Sequence, residues 1–161
     1  MRAGREREAL LSVKAQMEEK LLEGFPVIVE FPVTWGDMDA MRHVNNVTYF
    51  RYFENARIVY FDRIKMWEFM EKTGIGPILA STQCRFRAPL SHPDVVSIGA
   101  SVSDIGRDRL TMKYIVASHR LSKIAAEGDG VLVTYDYRNN RKVPVPDELK
   151  RNILDLEATS R

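Results

Sequence analysis

The sequence lacks the features that mark several large classes of protein. Its 161 residues include one cysteine, Cys84, so the chain cannot form an internal disulfide, and a lone thiol is typical of a reducing compartment. No apolar stretch is long enough to span a bilayer. Residues 1–24 do not resemble a signal peptide, because charged residues interrupt their short apolar stretches. These absences predict a cytoplasmic protein with no membrane partner.

An excess of charge of one sign is also missing. The 24 lysines and arginines nearly balance the 22 acidic residues, and a formal net charge of +2 gives no overall field that would attract nucleic acid. The chain has no Gly-x-Ser-x-Gly elbow and no Walker phosphate loop, and the Gly-Ile-Gly at 74–76 does not extend to a dinucleotide fingerprint. His43, His92 and His119 lack the spacing of metal ligands, and Cys84 has no second cysteine. We therefore predict neither a serine-hydrolase site nor a nucleotide-binding site, no nucleic-acid partner and no metal.

The segment 34–60, TWGDMDAMRHVNNVTYFRYFENARIVY, holds most of the groups that could do chemistry. Two aspartates, a histidine and a pair of asparagines form a polar loop that runs directly into a helix rich in aromatic residues. Asn45 or Asn46 can cap this helix with its side chain, whereas Asp39 lies too far upstream for that role. The carboxylate of Asp39 therefore needs another explanation.

The spacing of apolar residues predicts the order helix, strand, long helix, four strands and short helix. Helical spacing up to Gly24 predicts an N-terminal helical extension over residues 1–24. From Asn46 to about Lys65 the helix is apolar around most of its circumference, which is typical of an enclosed helix. The predicted strands are 27–33, 78–89, 95–103, 110–118 and 123–137, the last with a bulge or bend at 127–130, and the final helix is 147–157. Strands that follow a long helix without alternating βα units indicate an α+β domain, here residues 25–161.

Residues 36–57, GDMDAMRHVNNVTYFRYFENAR, resemble the opening motif of the 4-hydroxybenzoyl-CoA thioesterase family of hotdog-fold proteins. The resemblance implies a five-stranded antiparallel sheet wrapped around one long helix, and it extends to about residue 146. It also implies that two such domains pair edge to edge, giving a homodimer or a homotetramer. The implied substrate is a thioester of coenzyme A or of an acyl carrier protein. Coenzyme A would then be part of the substrate, and no separate cofactor is expected.

The same resemblance assigns roles to individual residues. Asp39 matches the catalytic carboxylate of these thioesterases, and Asp37 would be a supporting group. Asn46 falls where a backbone N–H at the helix start is aimed at the thioester carbonyl. Plant-type acyl carrier protein thioesterases resemble this stretch with an Asp, an Asn and a His at alternate positions, but Met41 replaces the Asn here. The implied catalyst is thus Asp39, assisted by His43 or by the helix dipole.

The chemistry of thioester hydrolysis fits these residue types. The reaction needs a group that attacks the carbonyl or activates water, and donors that stabilise negative charge on the carbonyl oxygen. Asp39 could be nucleophile or general base, and the free N–H groups of the first helical turn could hold the oxyanion. His43 could orient the substrate, relay a proton, or have the structural role of a hydrogen bond to the loop backbone. A structural alternative is that Asp37 and Asp39 stabilise the loop and compensate Arg42.

Substrate contacts are predicted from the arginines and aromatic residues. Coenzyme A carries phosphates, which suit arginine side chains. Arg107, in the turn between two strands, matches a position where related thioesterases place basic residues near the nucleotide, although it could also be a solvated turn charge. Arg87 could bind phosphate or pair with an acidic residue across the sheet. Tyr49 and Phe53 are expected to line the acyl pocket.

Two other functions stay open at this point. Acyl-thioester hydratases and dehydratases share the fold, but they resemble a pattern in which a proline is present and the His follows the Asp by five residues. Here His43 follows Asp39 by four, without a proline. A non-catalytic acyl-CoA sensor, with residues 1–24 as an interaction arm, is the second alternative.

Overall fold

The long strands of the protein form one antiparallel sheet. The computed structural model describes residues 2–160, so Met1 and Arg161, at the outer ends of the two predicted segments, lie outside the described residues. The elements are α1 (Arg2–Leu21), β1 (Val27–Val33), a 3-10 turn (Trp35–Asp37), α2 (Asn46–Arg63), α3 (Met66–Thr73), β2 (Ile75–Phe86), β3 (Asp94–Ile105), β4 (Arg109–Ser118), β5 (Lys123–Asp136), β6 (Arg141–Lys142) and α4 (Asp147–Ala158). The strand order is β1-β3-β4-β5-β2, and the two-residue β6 pairs with β5. This confirms the predicted α+β order.

The sheet encloses α2, as its aromatic sequence predicts. The buried residues of this helix are Tyr49, Tyr52, Phe53, Ala56, Tyr60 and Phe61. Phe53 stacks on Tyr114 of β4 with ring centroids 4.8 Å apart. A Cβ added to Gly128 would lie 2.5 Å from Phe53 Cζ, so only a glycine lets β5 approach the helix this closely.

Two details of the strands differ from the prediction. Residues 127–130 pair in register with both neighbours. The register shifts lie instead on β2, between Leu79 and Ser81, and on β5 at Ala125, which is skipped between the pairs Val116–Ala126 and Ala117–Ile124. The strand β2 also starts at Ile75 rather than 78, because Gly74 ends α3 in the left-handed conformation and turns the chain directly into the sheet. Pro77 is tolerated inside β2 because β2 is an edge strand with one side unpaired.

The N-terminal segment forms the helix α1, and the chain at the end of this helix lies on the outer face of the sheet. Leu22 packs there with Ile115 and Ala117, and Gly24 turns the chain with a φ of +83°. In contrast, Leu10 and Leu11, farther back on α1, are exposed. None of the helices within residues 2–160 combines the length and apolar character that crossing a membrane requires.

Candidate active site

The loop between β1 and α2 is held in place by backbone hydrogen bonds. The carbonyl of Asp37 accepts the N–H of Asn45 at 2.8 Å, and its Oδ2 accepts the N–H of Thr34 at 3.4 Å. Val44 donates its N–H to the carbonyl of Leu90 at 2.8 Å, which joins the loop to the chain leading into β3. Asp37 therefore stabilises the loop, as the structural alternative predicts, and its role as a supporting group in catalysis stays a prediction.

Asp39 takes part in a tight turn and still has a free carboxylate oxygen. Its Oδ1 accepts the N–H of Met41 at 2.8 Å, its carbonyl accepts the N–H of Arg42 at 2.9 Å, and its own N–H donates to the carbonyl of His43 at 2.9 Å. Its Oδ2 has no hydrogen-bond partner within residues 2–160. Arg42 adopts a φ of +60° in this turn and forms no ion pair with either aspartate of the described loop. The loop-stabilising role is thus present, and one oxygen of Asp39 remains available for chemistry.

The first turn of α2 presents an unpaired amide beside this turn. Asn45 is the N-cap, and its Oδ1 accepts the N–H of Val47 at 2.9 Å. Its carbonyl accepts the N–H of Thr48 at 3.0 Å. The N–H of Asn46 has no acceptor in the described part of the chain, as is usual in the first turn of a helix. With the positive end of the helix dipole, this amide can stabilise an anion.

One cavity of about 370 Å³ brings these groups together. Asp39, His43, Asn46, Tyr49 and Arg87, five of the seven predicted site residues, are among its lining residues. The other lining residues are Val44, Phe86, Ala88 and Pro89. Polar groups therefore lie at one end of α2, next to a wall of apolar and aromatic side chains.

Tyr49 forms part of this wall. Only 3% of the residue is exposed, and its ring meets Phe86 edge to face at a centroid distance of 5.0 Å. Burial raises the pKa of the Tyr49 phenol to about 12, so the hydroxyl stays protonated at neutral pH. Tyr49 can thus pack against a substrate or donate a hydrogen bond, but it is a poor base.

Two predicted site residues lie outside this cavity, and a third lines it but is hydrogen-bonded to another side chain. Arg87 lines the cavity, but its Nη2 and Nε donate to Glu127 Oε2 at 2.8 and 3.1 Å, which is the predicted cross-sheet alternative. Arg107 lies exposed in the β3–β4 turn, where its carbonyl accepts the N–H of Val145. Phe53 lies in the core against Tyr114. Contacts of these three residues with a substrate stay predictions.

Sequence reasoning predicted Arg87 but missed the wall that Phe86, Ala88 and Pro89 form beside it, and it missed a second opening beside Asp39. This opening, of about 590 Å³, is lined by Trp35, Met38, Asp39, Arg42, Ser91 and His92. The wall depends on pairing between distant strands, for which the local sequence holds no signal. Trp35 could have been found from the sequence, since it is an aromatic residue in a polar loop, two residues before Asp37 and outside any run of apolar residues with helical spacing. The structure leaves it 74% exposed.

Comparison with known proteins identifies relatives of the chain. A model of the thioesterase-like superfamily matches residues 33–153 of the chain. A thioesterase from Thermus thermophilus, crystallised in complex with coenzyme A and Zn, is 34% identical, and its match covers 84% of this chain and 97% of that chain with a TM-score of 0.75. YsmA, an uncharacterized protein of Bacillus subtilis (strain 168), is 29% identical over 122 residues, which are 76% of this chain and 81% of YsmA.

A more distant structure agrees in fold. The DHNA-CoA thioesterase of Staphylococcus aureus is 20% identical, with a TM-score of 0.71 over 84% of this chain and 95% of that chain, a likeness that shows the fold alone. The predicted hotdog fold is confirmed, whereas the narrower 4-hydroxybenzoyl-CoA thioesterase family stays a prediction. Because the superfamily model spans most of the sequence, the chain belongs to the thioesterase-like superfamily.

Proposed function

We propose that the protein is an acyl-CoA thioesterase of the 4-hydroxybenzoyl-CoA branch, which hydrolyses an acyl thioester to a free acid and coenzyme A. The observation that carries the proposal is the cavity shared by Asp39, His43 and the first residue of α2. Membership of the superfamily supports it, as does the relative crystallised with coenzyme A. An acyl carrier protein thioester remains an alternative substrate, because it offers the same reactive group.

In this proposal Asp39 supplies the reactive carboxylate. As general base, it takes a proton from water while the water oxygen bonds to the carbonyl carbon; as nucleophile, it forms an anhydride that water then hydrolyses. In either case the C–S bond breaks and coenzyme A leaves as a thiolate that takes up a proton. The bond from Met41 N–H to Oδ1 fixes the orientation of the carboxylate. Its partner-free oxygen is the one we assign to the chemistry.

The N-terminus of α2 would hold the developing oxyanion. The amide of Asn46 has no intramolecular acceptor within the described residues, and the cap on Val47 keeps the first turn ordered. Removal of one such donor typically costs about 10²–10³ in kcat. His43, which lines the same cavity, would orient the thioester or relay a proton, and Tyr49 would pack against the acyl group.

A second copy of the chain is the proposed partner, and β2 is the proposed contact. This strand lies at one edge of the sheet, and within residues 2–160 no strand pairs with its outer side. Ile78, Leu79 and Phe86 are exposed along it by 36%, 40% and 52%. A long apolar edge tends to pair with another strand. Because Phe86 also lines the cavity, pairing at β2 would place the site close to the interface.

The test measures free thiol released from short, long and aromatic acyl-CoAs. Asp39→Asn keeps an oxygen that can accept the Met41 N–H, so the turn is retained while the negative charge is lost. Asp155→Asn, an exposed aspartate on α4, is the matched control. We expect turnover by the wild type and the control, and a loss of about 10²–10⁴ in kcat for Asp39→Asn.

The outcomes separate the alternatives. Tight binding of acyl-CoA without thiol release would favour a sensor, and water addition to an unsaturated acyl-CoA would favour a hydratase. Full activity of Asp39→Asn would refute the proposed role of this carboxylate. Sedimentation velocity checks the oligomer, for which a monomer at all concentrations would contradict the proposal.

A further inference from the structure

Metal-ligand groups also converge on the outer face of the sheet, at residues that do not line the cavity. His119 follows β4, Glu30 lies on β1, Glu18 lies near the end of α1, and Ser97 lies on β3 directly across from Glu30. His119 Nε2 is 2.8 Å from Glu18 Oε1, 3.5 Å from Glu30 Oε1 and 2.7 Å from Ser97 Oγ. The ligand atoms of the two glutamates and the histidine all lie within 4.8 Å of one another. Four elements therefore bring their polar atoms to one point.

This point lies at the border between the packed structure and solvent, since the side chains of Glu18 and Glu30 are 26% and 49% exposed. Ser97 is fully buried, and its Oγ also lies 3.2 Å from Glu18 Oε1 and 3.5 Å from Glu30 Oε1. The side chain of His119 is 11% exposed. Lys14, whose Nζ is 3.4 Å from Glu30 Oε1, lies at the solvent side of the cluster with its side chain 39% exposed.

The balance of protons and lone pairs at this point favours a cation. When the imidazole is neutral, it and the hydroxyl of Ser97 carry at most two protons that can point at the centre. They face the oxygens of two carboxylates, which in the ionised form can accept hydrogen bonds but cannot donate them. At this point the lone pairs thus outnumber the protons that can pair with them. The Lys14 ammonium offsets the charge of one carboxylate and leaves the other without a cation among the described side chains.

We propose that Glu18, Glu30 and His119 bind one divalent transition-metal ion, with Zn²⁺ as the probe. Bond lengths of about 2.0–2.2 Å to N and O ligands in a tetrahedral site place neighbouring ligand atoms roughly 3.3–3.6 Å apart. The separations of 2.8 and 3.5 Å from His119 Nε2 to the two carboxylate oxygens need only small side-chain movements to meet this. An imidazole with two carboxylates suits Zn²⁺ or Mn²⁺ better than Mg²⁺ or Ca²⁺. Water would complete the coordination.

A bound ion would fasten α1 to the sheet. Its ligands come from α1, from β1 and from the residue after β4, so the ion would join the N-terminal helix to two strands. Sequence reasoning led to the opposite expectation, because ligands 12 and 89 residues apart in the chain show no metal-binding spacing. This site is independent of the proposed thioesterase activity.

The experiment is calorimetric titration of the chelator-treated full chain with ZnCl₂. We expect saturable binding of one ion per chain that is lost, or weakened more than about 100-fold, in His119→Gln and in Glu18→Gln, since even outer ligands of metal sites are worth about 10–100-fold in affinity. Glu19→Gln changes the next, exposed residue of α1 and is the matched control, expected to bind as the wild type does. His92→Gln controls for the loss of a histidine elsewhere.

A spectroscopic readout makes the result independent of the calorimetry. Co²⁺ bound by an imidazole and carboxylates gives visible absorption, which should appear in the wild type and Glu19→Gln and be absent from His119→Gln. Circular dichroism checks that each variant is folded, and the more conservative Glu18→Gln serves if His119→Gln is not. Absence of saturable Zn²⁺ binding, or binding that both ligand variants leave unchanged, would overturn the proposal and leave the cluster as an ion-pair network.

Discussion

Replacement of Gly128 by alanine tests how closely α2 is held against the sheet. An added Cβ at this position would lie 2.5 Å from Phe53 Cζ and 2.6 Å from the carbonyl oxygen of Gln83. The ring of Phe53 cannot move away freely, because it stacks on Tyr114 at 4.8 Å. The carbonyl of Gln83 belongs to a backbone segment of β2 that pairs with β5. Neither neighbour is the loose end of a flexible side chain.

The expected cost follows from these two contacts. Overpacking of a close-packed core costs about 1–3 kcal/mol, and occasionally more when backbone must shift. Replacing glycine by alanine also lowers the conformational entropy of the unfolded chain, which stabilises the folded state by about 0.4–1 kcal/mol and opposes this cost. The difference of the two effects is roughly 0–2.6 kcal/mol. Because one of the two clashes is with backbone, we expect the upper part of this range, a fall of about 2 kcal/mol in the free energy of unfolding, against the ~5–15 kcal/mol of a typical domain.

Urea unfolding followed by tryptophan fluorescence measures this change, and a second glycine of β5 is the control. At Gly130 the nearest atom to an added Cβ is Leu79 Cδ1 at 3.3 Å, the end of a flexible side chain, so Gly130→Ala should be nearly neutral. Phe53→Leu should cost less in the Gly128→Ala background than alone, because the clash is then relieved. Equal unfolding midpoints for the two alanine variants would refute the packing of Phe53 on β5.

Three further predictions concern chemistry and pH. Burial raises the pKa of the Cys84 thiol to about 11, so its reaction with a disulfide reagent should be slow at pH 8 and rise with pH, and Cys84→Ser should not alter the measured thioesterase rate. Hydrogen bonds from Asn139, first its side chain and then its backbone, hold the pKa of Asp136 below its usual value. The stability that this gives is present above the unfolded-state pKa of about 3.9 and is lost as the pH falls through the lower folded value. Asp136→Asn should therefore make the free energy of unfolding depend less steeply on pH in the acid range, measured by urea unfolding at a series of pH values. If Arg107 binds coenzyme A phosphate, Arg107→Gln should raise KM with kcat retained, and an unchanged KM would assign it to the turn alone.

The parts of the molecule that could be predicted are those encoded over short distances. The aromatic stripe of α2 shows a helical period that does not depend on the rest of the chain, and Asn45 caps the helix with its side chain as its residue type predicts. Asp39 and His43 share a cavity because a turn between them is closed by their own backbone atoms. Local sequence therefore predicts the polar end of the site.

The remaining features depend on which strands become neighbours. The guanidinium of Arg87 pairs with Glu127 because β2 lies beside β5, a contact 40 residues apart in the chain. Phe86 reaches the cavity for the same reason, and it could not be assigned to the site without the sheet order. Long-range pairing brings together residues whose separation in sequence carries no information about their distance in space.

The two interpretations of Asp39, loop support and catalysis, are compatible in the structure. Its Oδ1 is committed to the N–H of Met41, which fixes the rotation of the carboxylate, while the other oxygen has no partner within the described residues. A reactive group held in one orientation loses less entropy at the transition state than a freely rotating one. The turn that stabilises the loop is thus also the device that would aim the carboxylate. Asp39→Ala should therefore reduce both the free energy of unfolding and the activity, whereas Asp39→Asn should reduce the activity alone.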